Sequence, residues 1–405
     1  MIGNLHIIDF IKSHPTEWET LLQDKPYCLI ISRAVWNGLN LIMFKYNQIE
    51  SSFYEDICRE CRGIVFNEDT WEPISVPFFK FGNVNEGTWV EQIDWNNKPY
   101  VLTKIDGSLI KIVKIGTELL VSTNGTILAS DAPIAEQIGC EYKTFYDLVY
   151  AAISSTQKNV ESTSTVDCMK WLADKLNPNT TYMFELTSRW NRVVVPASEP
   201  KLWFIGVRDN ITLKESFIKD HPLAKIFDTP ELHDFSTFAE CVETAKNLPW
   251  DSEGYVITSR DFKRNKAKSL GYLACHHLKG NGVMSYARAL ELVRLNEVDE
   301  VLSYFPEFSD AINECKTRYN EAISLVEHAQ STYLEWEHSN GYDVDHYLVE
   351  AGGLKRKDAA LKIQSEFKKY SGIGFALLDR KISSVREWFE QCPIINLVKA
   401  LGYKE

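Results

Sequence analysis

The sequence predicts an α+β protein in two parts, an antiparallel-sheet domain over residues 1–282 followed by an all-helical domain over residues 283–405. Three observations lead there. From about residue 27 to 280, short apolar runs rich in Val, Ile, Phe, Tyr and Trp are punctuated by Asn-Gly, Asp-Gly and Glu-Gly pairs, the pattern of strands joined by turns. After about residue 283 the pattern changes. YARALELVRL, SDAINECKTRYNEAISLVEHAQSTYLEWEH, KRKDAALKIQSEFKKY and SVREWFEQC carry apolar residues at three- and four-residue spacing with charged faces between them, which is helical. Finally, 405 residues are too many for one ordinary core.

Taken in order, the start MIGNLHIIDFIKSH has a short apolar stretch that Asp9 interrupts and no cationic leader, which argues against a secretory signal. YVLTKIDGSLIKIVKIGTELLVSTNGTILAS predicts strands over Tyr100–Lys104, Ser108–Ile115 and Glu118–Ser122. Its Asn124-Gly125 pair predicts a hairpin between the last of these and TILAS. Residues 151–180 are Ser/Thr-rich before a short amphipathic helix and read as a surface insertion. No stretch approaches the roughly 18 consecutive apolar residues of a membrane span. The Trp residues read as packing anchors, with Trp89 and Trp190 near the motif blocks described below.

Composition narrows the function classes. Hydrophobic and charged fractions of 44% and 25% are those of an ordinary folded protein. Nine cysteines, an odd number scattered along the chain, read as reduced thiols in an intracellular protein; the Cys58–Cys61 CxxC has no matching ligand pair at zinc spacing. A net charge of −12 argues against coating nucleic acid by bulk electrostatics. A local basic cleft remains open to it, because FKRNKAKS places Lys263, Arg264, Lys266 and Lys268 within six positions. The tail is polarised: 14 acidic and 4 basic residues lie between Met284 and Glu350, and 6 acidic and 11 basic between Ala351 and Glu405. That reversal fits either helical hairpins with attracting faces or a basic face that contacts RNA.

The chemistry concentrates on Lys104-Ile105-Asp106-Gly107-Ser108, where a strand gives way to a turn. Upstream stand Arg62 in ECRGIVF and Lys80 in FFKFGN; downstream stand Glu185 in YMFELTSRWNRVVV, Glu253 in SEGYVIT, and Lys266 and Lys268 in KAKSLGY. A lysine attacks phosphorus only as a neutral amine, and its reference pKa is about 10.4. Neighbouring cations such as Lys266, Lys268, Arg62 or a divalent metal are therefore expected to lower it and to neutralise phosphate charge in the transition state. Alternation on a strand would put Lys266 and Lys268 on one face. Glu185 and Glu253 suit ribose hydroxyls, metal-bound water or an ammonium group, and the glycines after Asp106 and Glu253 let backbone approach a nucleotide closely.

These blocks resemble the ordered motifs of the covalent nucleotidyltransferases, the ATP-dependent ligases and messenger-RNA capping enzymes. Within them the chain most resembles the bacteriophage RNA ligase 1 family, through ECRGIVF, TKIDGSL, FELTSRWNR, EGYV and KAKSLGY, over roughly Tyr46 to His276. The resemblance implies an antiparallel-sheet nucleotidyltransferase domain of ATP-grasp-like ligase type with a helical RNA-specificity domain after it. It further implies that Lys104 becomes lysyl-AMP from ATP, with Mg²⁺ or Mn²⁺. Tyr46, Arg62 and Lys80 match positions that hold ATP, Arg62 and Lys80 mattering most in the first step. Asp106 and Gly107 belong to the nucleotide-binding block. Glu185 matches an essential carboxylate, Glu253, Lys266 and Lys268 match residues around the α-phosphate, and Tyr272 matches a tyrosine needed for ligation. Asp299, in NEVDEVL, falls where a metal-binding carboxylate would lie; outside the resemblance it reads as a solvent-facing acid near a helix start. The family's basic residue in the hairpin after the lysine block is replaced here by Asn124.

The implied function is ATP-dependent joining of 3′-hydroxyl and 5′-phosphate RNA ends. The resemblance points to a cleaved tRNA anticodon loop as substrate, an end-healing kinase-phosphatase as partner, a monomer, a phage or other viral source and the cytoplasm of an infected cell. Two alternatives stand beside it, a DNA ligase or capping-type enzyme and a catalytically silent RNA-binding relative. Ser108 and the helical tail weigh against the first, and the complete set of catalytic residue types against the second.

Overall fold

The strands form in chain order as β1 (Leu29–Trp36), β2 (Leu39–Tyr46), β3 (Arg62–Asn67), β4 (Pro73–Ser75), β5 (Tyr100–Thr103), β6 (Ser108–Ile115), β7 (Glu118–Thr123), β8 (Thr180–Thr187), β9 (Lys201–Asp209), β10 (Leu232–His233), β11 (Gly254–Thr258) and β12 (Arg264–Lys268). The computed structural model describes residues 4–84, 90–135, 140–162, 165–279, 284–296, 298–339 and 354–403; Trp89 lies outside them. Two units separate at His277/Leu278.

In the first unit the strands build three four-stranded sheets, ordered β1-β2-β3-β4, β10-β5-β11-β12 and β7-β6-β8-β9. Every strand pairing within them is antiparallel, as turn-punctuated short runs require. Asn37-Gly38 closes β1 onto β2 as a two-residue turn with both residues at positive φ, 49° and 80°. Asn124-Gly125 does not form the hairpin expected of it. The Thr123 hydroxyl accepts hydrogen bonds from the Gly125 and Thr126 N–H groups at 3.1 and 3.0 Å, which curls the chain locally. TILAS then runs into a short 3₁₀ turn at Ala129–Asp131, with Ile127 buried against Leu41, Met43 and Leu120.

Residues 151–180 also differ from expectation. The first part is the end of a helix, Phe145–Val160, and not a surface insertion. Thr144 and Asp147 cap each other's backbone N–H groups, and Leu148, Val149, Ala152 and Ile153 pack against Ile110, Ile112, Phe184 and Phe204 of the third sheet. Each large apolar side chain so buried contributes about 1.5–3 kcal/mol, enough for packing to override the Ser-Ser-Thr run at residues 154–156. The short helix forms at Cys168–Ala173, capped by Asp167. The first sheet packs Ile42, Phe44, Ile64 and Phe66 onto Ile7, Ile11 and Leu22 of two N-terminal helices. Cys58 and Cys61 are buried beside them; burial pushes the Cys58 thiol up to about 12 and Cys61 up as well, which keeps both as thiols.

The second unit is helical throughout its described residues. Its longest helix, Ser309–Ser339, has 31 residues and buries Ile312, Tyr319, Ile323 and Val326. Among the described residues, Glu327 of the acidic stretch pairs with Arg386 of the basic one at 2.9 Å, on the surface. No helix among the described residues is long and apolar enough to cross a membrane.

Candidate active site

The chain leaves the second sheet at Thr103 and enters the third at Ser108, so Lys104 stands in the four-residue link between two sheets. The Lys104 N–H donates to the Gly254 carbonyl at 2.8 Å, which anchors the link to β11. Two glycines make the crossing possible. A β-carbon on Gly107 would come within 2.4 Å of the Leu186 carbonyl oxygen. At Gly254, φ is +131° and a β-carbon would stand 2.0 Å from the Ala267 carbonyl oxygen, so no other residue fits. A cavity of about 510 Å³ opens over Lys104, lined by Arg62, Glu185, Glu253, Lys266 and Lys268 on its polar side. Leu102, Leu109, Ile205 and Val256 form an apolar wall suited to a flat base, a wall that no sequence motif had marked.

Glu253 is the hub. Its two oxygens take the Lys104 Nζ at 2.7 Å and the Lys268 Nζ at 3.0 Å, and only 4% of its side chain is exposed. Burial alone would raise its pKa, but Lys104 and Lys268 hold it below the ordinary carboxylate range. The expected lowering of the Lys104 amine is reversed. Burial works to lower it, but Glu253, Glu185 and Asp106 outweigh burial and raise it, so the amine stays charged. Lys266 is the lysine that loses its charge. Burial, with Lys104, Arg62, Lys268 and Lys80 nearby, lowers it to about 6. Lys266 and Lys268 do share a face of β12, and the Phe81 ring lies beneath both the Lys266 Nζ at 5.3 Å and the Arg62 Cζ at 5.2 Å.

This depressed amine has a thermodynamic signature. Lys266 ordinarily titrates near 10.5 and in the fold near 6, so the stability tied to it is complete above 10.5 and is lost as pH falls through about 6. Lys266→Met is expected to flatten the stability profile across that window, as read from denaturant unfolding at a series of pH values. An unchanged slope contradicts a buried, neutral Lys266.

Glu185 lies on β8 facing the cavity, and burial, tempered by Lys104, raises it to about 7. Among the described residues its carboxylate has no hydrogen-bond or ion-pair partner, which suits a hydroxyl or a metal ion. No group of three or more His, Cys, Asp or Glu among the described residues could hold a metal alone. Residues and phosphate oxygens together would have to supply the ligands, as is usual for Mg²⁺.

Other predicted residues fall elsewhere. Both oxygens of Asp106 are occupied by protein, one accepting from the Tyr272 hydroxyl at 2.8 Å and the other from the Val194 and Val195 N–H groups at 2.7 Å each. Tyr272 is buried with its ring under the Lys268 Nζ at 5.3 Å, so it braces the Lys104 link and Lys268 together. Lys80 and Tyr46 do not line the Lys104 cavity. The Lys80 Nζ rests 4.6 Å over the Tyr46 ring and 4.0 Å over Phe53, and lines an adjoining cavity with Arg59, Arg208 and Arg264. Asp299 is exposed on the helix Val298–Tyr304 of the second unit. Lys111, buried on β6 with its amine donating to the Gly63 carbonyl, was not picked out by sequence; burial and Arg62 lower it to about 7. Its only signal was a lysine at an inward position of an apolar strand.

A family model described as RNA ligase matches residues 60–273, a span that holds the lysine link, both sheets bordering it and Tyr272. The chain belongs to this RNA ligase family. A protein of Autographa californica nuclear polyhedrosis virus named "Putative bifunctional polynucleotide kinase/RNA ligase" is 28% identical over 285 residues, covering 67% of this chain and 38% of that protein. The chain thus spans about two fifths of the length of that curated relative. Among solved structures, an archaeal ATP-dependent RNA ligase aligns with a TM-score of 0.42 at 13% identity, over 79% of this chain and 83% of that one. A Naegleria gruberi RNA ligase solved with ATP and Mn aligns with a TM-score of 0.33 at 13% identity, over 66% and 82% of the two chains.

Proposed function

We propose that this RNA ligase family member is an ATP-dependent RNA ligase that joins 3′-hydroxyl and 5′-phosphate RNA ends through Lys104. In the first step the Lys104 Nζ gives up a proton and its pairing with Glu253. It then forms an N–P bond to the α-phosphorus of ATP while the bond from that phosphorus to pyrophosphate breaks. The lysine-bound AMP passes to an RNA 5′-phosphate, freeing the amine. The 3′-hydroxyl then attacks that phosphate and expels AMP. Each step is an in-line transfer, in which positioning and charge neutralisation do most of the catalysis.

The observation that supports this most directly is the cluster itself: one lysine at the seam of two sheets, under a cavity with a carboxylate hub, further cations and an apolar wall. Glu253 takes the hydrogen-bonding partner Lys268 throughout, so it can release Lys104 without becoming an isolated buried charge. Lys266, neutral before substrate arrives, gains a proton when phosphate enters and so adds charge where it is needed. Glu185 holds a ribose hydroxyl or a Mg²⁺ ion, which would screen the phosphate charge. Asp106 and Tyr272 hold the lysine link in place. We further infer that the helical second unit selects the RNA, a broken tRNA anticodon loop being the substrate the resemblance implies. An end-healing kinase-phosphatase as partner, a monomeric state and a setting in the cytoplasm of an infected cell belong to the same reading.

Incubation with α-labelled ATP or GTP and Mg²⁺, followed by a denaturing gel, tests it. Label from ATP, together with sealing of 5′-phosphate RNA over nicked DNA, is the expected result. Label from GTP alone would make it a capping-type enzyme, preference for nicked DNA would make it a DNA ligase, and no label on nucleotide-free protein would leave an RNA-binding relative.

A further inference from the structure

A cationic corner beside the Lys104 cavity has not entered the mechanism so far. Lys45, at the end of β2, is the direct cross-strand partner of Arg62 at the start of β3. Like charges facing each other across an antiparallel pair repel, and among the described residues neither forms an ion pair with a carboxylate. A third amine, Lys111, lies just beneath, donating to the Gly63 carbonyl. Arg62 helps hold that amine down near 7. Arg62, Asn124 and Gly125 line the cavity. Lys45 does not line it directly, but a β-carbon placed on Gly125 would stand 3.4 Å from the Lys45 Nζ. Its ammonium therefore stands at the rim where that turn closes the cavity. Asn124, which offers no charge there, has its side-chain oxygen buried with no hydrogen-bond partner.

Arg62 on the cavity wall and Lys45 at its rim, with Lys111 buried behind them and no carboxylate paired to either of the first two, form a site for an anion that carries more than one negative charge. Lys104 fixes where the α-phosphorus must lie, so the remaining anionic part of ATP is its β,γ-phosphate tail. We propose that Lys45, acting with Arg62, binds that tail and steadies pyrophosphate as it leaves, supplying from β2 the positive charge that Asn124 does not carry. Lys45 would thus be a phosphate-binding residue of the first step only. The inference rests on Lys104 being adenylylated by ATP.

The test compares wild type with Lys45→Ala, Lys45→Gln and Lys45→Arg. Loss of one charge-assisted contact to phosphate is expected to raise KM for ATP in self-adenylylation about tenfold to a hundredfold in the Ala and Gln variants. The concentration of pyrophosphate that reverses Lys104 adenylylation should rise by a similar factor. Lys45→Arg should stay close to wild type, and Asn124→Lys placed in the Lys45→Ala background should recover part of the loss. Sealing of pre-adenylylated RNA, which involves no pyrophosphate, should fall by much less than sealing driven by ATP. Unchanged KM and pyrophosphate dependence in both the Ala and Gln variants would overturn the proposal, as would equal damage to ATP-driven and pre-adenylylated sealing. If the wild-type chain takes no label from ATP, the ligase reading fails first, and that outcome is seen before any variant is compared.

Discussion

Lys104→Ala and Lys104→Arg are each expected to take up no AMP, with loss of at least about a thousandfold in ATP-driven sealing. The two variants fail for different reasons. Alanine removes the only side-chain nitrogen in the link between the two sheets, the one placed under the cavity. Arginine keeps a positive charge beside Glu253, so the ion pair and the local packing survive, but a guanidinium does not deprotonate in a protein and has no free lone pair to offer phosphorus. Retention of the fold in Lys104→Arg with complete loss of label would separate the nucleophile from the ion pair. Both variants should keep more of their ability to seal RNA that is already adenylylated, because that step needs AMP as a leaving group and not the amine as an attacker. The readouts are gel labelling with α-labelled ATP and sealing of the two RNA substrates side by side. Label at wild-type level on the arginine variant would move the nucleophile elsewhere.

Glu215→Ala is expected to cost about 3–5 kcal/mol in stability. Glu215 holds two guanidiniums: its Oε1 accepts from Arg208 at 2.5 Å, and both of its oxygens accept from Arg264. Side-chain exposures of 6%, 4% and 10% for Arg208, Glu215 and Arg264 leave solvent little part in compensating them. Burial opposes the charge on Glu215, but the two arginines prevail and hold its pKa below the usual carboxylate range. Alanine would strand both cations over the rings of Phe79 and Phe78. For a unit of this size a loss of that order should lower the melting temperature by roughly 10 °C. Glu215→Gln, which keeps the acceptor oxygen and loses the charge, should fall between the two. A melting temperature unchanged in the alanine variant would contradict the burial of this triad. Since Arg264 also lines the Lys104 cavity, the surviving folded fraction should bind ATP less well.

How far the sequence could be read followed from how local each signal is. Lys104 and Glu253 could be read because each stands at a strand boundary close to a glycine, Gly107 three residues on and Gly254 next in the chain. Gly107 and Gly254 are required there by the close approach of the Leu186 and Ala267 carbonyl oxygens from neighbouring strands. The strand over Ser108–Ile115 was legible as a run rich in Leu, Ile and Val between turn residues. Asn124-Gly125 was misread because the outcome depended on where the Thr123 hydroxyl pointed. The helix Phe145–Val160 was read as an insertion because its polar end was weighed without the sheet that its apolar face covers. The charge state of Lys104 was reversed because order along the chain does not say how close Glu253 and Glu185 come. Lys45 gave no signal, and Lys111 gave only that of a lysine at an inward position of a strand. Their meaning lies in register, in which strand faces which, and that is decided by tertiary pairing.

The shared Glu253 carboxylate has a consequence for chemical discretion. A free, neutral lysine at the mouth of a cavity would react with many electrophiles of the cell, including acyl phosphates and cyanate, and acylation or carbamoylation there would end its use as an attacking amine. Held as an ammonium against Glu253, Lys104 is inert to them. In the proposed mechanism a ligand that brings enough negative charge to protonate Lys266, while Lys268 stays on Glu253, loosens the hold of Glu253 on Lys104 and unmasks it. On that mechanism reactivity is conditional on the identity of the occupant, and the same ion pair that delays the first step would guard the residue between turnovers.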